Sequence, residues 1–266
     1  MSDNRPLWLE RFQRRPNEVG SPPDFSPLHR TRLNASVLEH IAENCHIESL
    51  GIIGVGFDDF YVEQSLFVPV LYTTLAQANR ALPDCVLVDS DSRIKSPFIG
   101  STIYGVLDTP RDEDDWEWLC DLFGESDRIV SGPEKGLHFN SNFDSSLLRD
   151  EKVRAVPTPR SSMPQYNRRV RVRHTSSSDS RWVEPVSLDY VDCSYVIEHL
   201  SLRDRLHTVY NISTALAPEG FATFFDSSMA HYTDFIEPGY LTDMKLYDVT
   251  REMQVPDPRI RVFQKY

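Results

Sequence analysis

From Arg168 onward the chain alternates apolar runs with amphipathic segments in a way that few architectures can accommodate. Leu188 to Tyr195 reads as a buried strand, Ser201 to Leu216 as a helix, and Phe221 to Phe225 as a second buried strand. Upstream, Val170 to His174 reads as a strand followed by a Ser-rich loop at 175–180, and strands are expected at Lys245 to Val249 and Ile260 to Gln264. Continuous apolar strands separated by helices need a mainly parallel sheet with helices on both faces, because a parallel strand can be reached only by a crossover.

The first half of the chain carries the same rhythm less regularly. Asn34 to Asn44 is expected to be a helix capped by Asn34, with Val37, Leu38 and Ile41 on one face. Leu50-Gly-Ile-Ile-Gly-Val-Gly56 reads as a buried strand entering a tight turn. Phe60 to Leu82 is expected to be a helix interrupted at Pro69, and Asp84 to Asp89 a buried strand ending in a carboxylate. An acidic helix is expected at Asp112 to Phe123, its acids gathered near the N-terminus where the helix dipole favours them. It carries Trp116 and Trp118, which could cap a pocket or pack locally. Residues 124–167 are polar and Pro-rich, and show no clear element.

Composition narrows the partners. The 266 residues include 40 acidic against 28 basic side chains, a formal charge of −12 that repels polyanions and argues against nucleic acid. The run Arg168-Arg-Val-Arg-Val-Arg173 is a local exception, readable as a solvated strand or as a phosphate-binding patch. No apolar stretch is long enough for a membrane span, and the charged N-terminus does not resemble a secretory signal, so a cytoplasmic protein is expected. The four cysteines lack close pairs and read as buried apolar residues. With no His/Cys/Asp cluster of ligand spacing, no metal is expected. Nor is there a Gly-x-Ser-x-Gly elbow or a phosphate-binding Walker loop.

Two linked stretches carry a resemblance. Val186-Ser-Leu-Asp-Tyr-Val-Asp-Cys-Ser-Tyr-Val-Ile-Glu-His-Leu200 resembles the fourth-strand motif of class I S-adenosylmethionine (SAM)-dependent methyltransferases. Ala215-Leu-Ala-Pro-Glu-Gly-Phe-Ala-Thr-Phe-Phe225 resembles the same family's Leu-x-Pro-x-Gly lead into strand five. The resemblance covers residues 179–266 and implies a doubly wound, mainly parallel seven-stranded α/β sheet with helices on both faces and an antiparallel last strand near Arg259 to Lys265. Carried upstream, it implies that Gly54 and Gly56 let backbone approach the cofactor and that Asp89 accepts the ribose hydroxyls. It further implies that Asp179 binds the adenine amine, and that Ser194 lines the cofactor site.

The same resemblance places Glu198 and His199 beside the methyl acceptor, His199 as a proton acceptor and Glu198 as its orienting group or as a binder of a cationic acceptor. His207, His231 and Tyr232 are secondary pocket candidates, with His207 expected to face solvent. The implied organisation is an N-terminal arm or lid at 1–33, then one methyltransferase-like domain at 34–266 with an insert at about 92–167. The implied activity is SAM-dependent methylation of a small molecule.

A methyltransferase-like protein without methyl transfer, serving as a partner-binding or regulatory subunit, is the alternative. It is favoured by Asp58 and Asp59 in place of the third small residue, and by a Gly56-to-Asp89 separation longer than the roughly 20 residues usual for such motifs. A protein partner or homo-oligomer is compatible with either reading. A Rossmann-type dehydrogenase would use the same glycine turn but not Glu198-His-Leu200.

Overall fold

The computed structural model describes residues 27–54, 60–90, 102–106, 117–119, 121–122, 128–131, 152–157, 168–194, 196–197, 200–225, 238–255, 257 and 259–266. The chain divides into two compact units: residues 1–35, 56–73 and 97–163 form one, and residues 36–55, 74–96 and 164–266 the other.

The elements in chain order begin with α1 (Pro27–Asn44), β1 (Ser49–Ile53), α2 (Phe60–Asn79) and β2 (Asp84–Asp89). Next come β3 (Thr102–Val106), β4 (Arg128–Ser131), β5 (Lys152–Pro157) and β6 (Val170–His174). The chain ends with β7 (Leu188–Ser194), α3 (Leu202–Ala215), β8 (Leu216–Phe225), α4 (Pro238–Asp243), β9 (Leu246–Asp248) and β10 (Ile260–Lys265).

Among the described residues, seven strands of the second unit form one sheet in the order β6-β2-β1-β7-β8-β10-β9. β6, β2, β1, β7 and β8 pair parallel, while β10 runs antiparallel to both β8 and β9. The sheet is therefore doubly wound: β1 to β2 steps toward one edge and β7 to β8 toward the other. This is the methyltransferase-like α/β sheet implied by the two C-terminal motifs, antiparallel strand included.

The apolar runs are continuous because the inner strands are covered on both faces. On the α3 face, Ile53, Val88, Val191, Cys193, Val209, Ile212, Phe224 and Phe263 form a closed core. Phe224 meets Phe263 edge-on, with centroids 5.6 Å apart. Cys85 and Cys193 are buried as expected, and burial pushes the Cys85 thiol far above its usual range, so it stays protonated and inert.

Several local expectations need correction. The first helix starts at Pro27, so Asn34 lies in its interior, fully buried, and caps nothing. Proline is well suited to a first turn because its missing N–H has no partner there in any helix. Ser201, by contrast, does cap α3, accepting from the Asp204 amide at 3.2 Å. The Leu-x-Pro-x-Gly stretch lies within the bounds of β8 but breaks its ladder: Leu216 pairs with Leu188 and Phe221 with Tyr190, so residues 217–220 bulge out opposite Asp189, with Glu219 at a φ of +64°. Gly220 is required there, since a Cβ would lie 2.9 Å from the Ala217 carbonyl oxygen and 3.0 Å from that of Asp189.

The segment with no legible element holds β4 and β5; β5 pairs antiparallel with both β3 and β4, in a sheet of order β3-β5-β4 within the first unit. Strands of four to six residues in polar surroundings leave too short a pattern to detect. The basic run is an edge strand: Arg169 pairs with Asp84 at 3.2 Å, and Arg171 and Arg173 share Glu184 at 3.1 and 2.9 Å. Charged side chains on a sheet edge discourage pairing with other chains, which is the use this geometry supports. Of the expected acidic helix, residues 117–119 and 121–122 are described and helical, and Arg32 lies 5.6 Å over the Trp118 ring within the same unit. No described helix is long and apolar enough to cross a membrane.

Candidate functional site

The carboxyl ends of β6, β2, β1, β7 and β8 lie along one edge of the sheet, and register alone decides which side chains meet there. Val88 pairs with Ile53 and Ile53 with Cys193. The next residue on each strand therefore falls in one row: Asp89 on β2, Gly54 after β1 and Ser194 on β7. His174 pairs with Asp89 at one end of that row, and Phe225 pairs with Ser194 at the other. The strand order reverses between β1 and β7, at the centre of the row. That is the switch point where open α/β sheets bind their ligands, because the two crossovers diverge and leave a crevice. Three residues singled out in the sequence thus stand side by side at the position where such a fold accepts a ligand.

Gly54 is held in a conformation that side chains resist. Its φ is +70°, and its amide donates to the Val88 carbonyl at 2.9 Å, tying the corner to the strand that ends in Asp89. A Cβ on Gly54 would lie 2.0 Å from Cγ2 of Val196. The glycine thus makes room for Val196 as well as for any ligand, a demand that sequence reading does not detect.

Behind the row is a polar cluster inside an otherwise apolar sheet. The Ser194 hydroxyl donates to Oδ1 of Asp192 at 2.7 Å, and the Tyr190 hydroxyl donates to the Thr223 hydroxyl at 2.8 Å. Asp192 and Tyr190 have no exposed surface, and burial, reinforced by the Asp192 carboxylate, raises the Tyr190 phenol well above its usual range.

Asp179 lies in the loop between β6 and β7 and is linked to the row: the Thr175 amide donates to the Asp89 carbonyl at 2.8 Å, and Arg181, the partner of Asp179, reaches the Thr175 hydroxyl at 3.4 Å. Asp179 caps a 3-10 turn at Ser180–Trp182, accepting from the Arg181 amide at 2.9 Å, and its other oxygen meets the Arg181 guanidinium at 2.6 and 2.7 Å. The loop is tied down as well: the Ser177 carbonyl accepts from Trp182 Nε1 and Asn211 Nδ2, both at 3.0 Å, and Ser177 meets Thr208 at 3.0 Å. An adenine amine at Asp179 would share a carboxylate already engaged by Arg181. The side-chain hydrogen bond from Arg181 holds the Asp179 carboxyl down at about 2, against an ordinary 3.8. Because the folded value is depressed, the contact stabilises the fold above the ordinary value, and that contribution is lost as pH falls from about 4 to about 2. Carbon-detected NMR titration of the Asp179 carboxyl should show a midpoint near 2 that moves up toward the ordinary range in Arg181→Met, the residue-181 amide still holding it partly down. An unchanged midpoint in the variant would refute the assignment.

Gly56, Glu198 and His199 lie outside the described residues, as do Asp58, Asp59, Tyr195, His231 and Tyr232. His207 is exposed on α3, as expected. Sequence reading missed His174, Asp192 and Phe225. Only the last position of a neighbouring strand could have flagged His174 and Phe225, and a lone acid inside an apolar run is the signal that could have flagged Asp192. Among the described residues no group of three or more His, Cys, Asp or Glu could hold a metal ion.

No protein-family model matches the chain, and no curated protein does. Solved structures similar to it include an O-methyltransferase family protein from Burkholderia thailandensis, 9% identical with a TM-score of 0.45, over 90% of this chain and 57% of that one. A TehB-like SAM-dependent methyltransferase from Corynebacterium glutamicum is 13% identical with a TM-score of 0.44, over 98% of each chain. The N-methyltransferase NodS from Bradyrhizobium japonicum in complex with S-adenosyl-L-homocysteine is 11% identical with a TM-score of 0.41, again over 98% of each chain. The chain spans little more than half the length of the first of these. The strand order, and not these similarities, defines the fold.

Proposed function

We propose that this protein is a SAM-dependent methyltransferase acting on a small-molecule acceptor. The observation that carries the reading is the row Asp89, Gly54, Ser194 at the switch point of the sheet. The residues fit the cofactor at its ribose end: Asp89 is a half-buried carboxylate, which suits a pair of hydroxyl donors. Gly54 and Gly56 would bring backbone close to the cofactor, and Ser194 would line the same site. When bound, the cofactor supplies an electrophilic methyl group on sulfur. Glu198 and His199 would face the acceptor, His199 taking the proton of an attacking hydroxyl or amine and Glu198 orienting that imidazole. Alignment and exclusion of water would supply the rest, a task assigned here to residues 1–33 and the insert at about 92–167 as lid and substrate-shaping elements of an otherwise single domain. The acidic composition suits a neutral or cationic acceptor, and Cys45 and Cys85, neither of them in a disulfide, suit a reducing cytoplasmic setting.

Titration calorimetry with SAM and S-adenosylhomocysteine tests the reading. Micromolar binding is expected for the parent chain, with Asp89→Ala weaker by about tenfold or more through loss of charged hydrogen bonds. Gly56→Arg should abolish binding, whereas His199→Ala should slow turnover and leave cofactor affinity unchanged. No binding at millimolar cofactor would instead favour the second reading, a methyltransferase-like partner-binding or regulatory subunit. Two observations support that alternative: the left-handed φ and the Val196 contact together account for Gly54 without a ligand, and Asp179 is engaged by Arg181.

A further inference from the structure

β7 carries two aspartates on opposite faces, and they are used differently. Asp189 accepts three hydrogen bonds from the start of β1. Asp192 is, among the described residues, the one acidic side chain with no exposed surface. It sits between Ile52 of β1 and Thr223 of β8 in the register, at a position that an inner parallel strand ordinarily gives to an aliphatic residue. A carboxylate is costly there unless hydrogen bonds hold it, and one that holds it comes from Ser194, at the row on the sheet edge.

A hydroxyl has one proton and two lone pairs. Ser194 gives its proton to Asp192 Oδ1 at 2.7 Å, so toward any other group its oxygen can only accept. We propose that Asp192 is a positioning residue that fixes Ser194 as a hydrogen-bond acceptor at the switch point, so that Ser194 takes a donor group of the ligand and refuses an anionic one. This rests on the cofactor reading above. With ribose hydroxyls assigned to Asp89 on the far side of Gly54, the donor left for Ser194 is the ammonium of the amino-acid end, and the carboxylate of that end must point elsewhere. The low-dielectric surroundings of Asp192 strengthen the arrangement by polarising the Ser194 hydroxyl.

Two probes separate this from a structural role: S-adenosylhomocysteine, and 5′-methylthioadenosine, which keeps the adenosine and lacks the amino-acid end. Calorimetry on the full chain should show Asp192→Asn weakening S-adenosylhomocysteine by about tenfold, since a neutral amide offers a donor as well as an acceptor and no longer fixes the direction of the Ser194 proton. Methylthioadenosine affinity should not change. Ser194→Ala should show the same split, and Asp192→Asn should add nothing in the Ser194→Ala background. Equal losses for both probes, or no loss for either, would overturn the assignment while leaving the cofactor reading in place. Failure of the parent chain to bind either probe would overturn the cofactor reading and this one with it. Should Asp192→Asn lose its cooperative melt, Ser194→Ala decides: undiminished S-adenosylhomocysteine affinity in it overturns the proposal.

Discussion

Gly54→Ala is expected to destabilise the protein by about 2–5 kcal/mol, combining the penalty for a left-handed side-chain residue with that of overpacking. Each contribution has a visible cause. The φ of +70° disfavours any Cβ, and the added carbon would lie 2.0 Å from Cγ2 of Val196, a distance no pair of carbons tolerates. The corner cannot simply swing away, because the Gly54 amide is bonded to Val88 and the preceding strand is paired on both sides. The two causes can be separated. Val196→Ala in the same chain removes the closest contact and should recover the overpacking share, leaving about 1–2 kcal/mol of backbone penalty. Urea melts of the parent, the two single variants and the double variant give the coupling directly. Additive losses, or a Gly54→Ala chain as stable as its parent, would show that Val196 does not press on this corner.

Asp189→Ala is the second large effect, expected to cost about 2–3 kcal/mol for the donors it leaves without an acceptor, moderated by their partial exposure. A single oxygen, Oδ2, accepts from the Glu48 amide at 2.9 Å, the Ser49 amide at 3.0 Å and the Ser49 hydroxyl at 2.8 Å. The Asp189 amide donates back to the Ser49 hydroxyl at 2.9 Å, closing a reciprocal pair between the starts of β1 and β7. These contacts lie at the amino ends of the strands, away from the row at their carboxyl ends. Stability should therefore fall without a matching change in the intrinsic affinity of folded chains for S-adenosylhomocysteine. Asp189→Asn, which can place an amide oxygen in the same position, should cost only about 1 kcal/mol. If alanine and asparagine prove equally harmless in urea melts, the clamp has no energetic weight.

Much of the fold was legible because burial on both faces forces a strand to be apolar throughout, and polar residues then mark its ends. Asp84–Asp89 and Val170–His174 have the same bounds in the structure as in the sequence reading, and Leu188–Ser194 differs by one residue. The helix between the last two parallel strands was legible as an amphipathic run, and its cap at Ser201 came from the structure. Legibility failed at β3, β4 and β5, short strands in a polar stretch whose partners come from distant segments. It failed again at Asn34, a good cap by residue type that lies inside a longer helix.

The site divides along the same line. Sequence alone marked Asp89 as the polar end of an apolar run and the glycines after β1 as a turn, while Gly54 and Ser194 entered as cofactor residues only through the resemblance carried by two linked stretches. Register decided the rest, because pairing across more than a hundred residues of chain put those three in one row, set Val196 against Gly54, and turned Asp189 and Asp192, three positions apart on one strand, to opposite uses. The physical reason is that a strand's own pattern specifies alternation between two faces, while the identity of what lies on each face comes from the neighbouring strands.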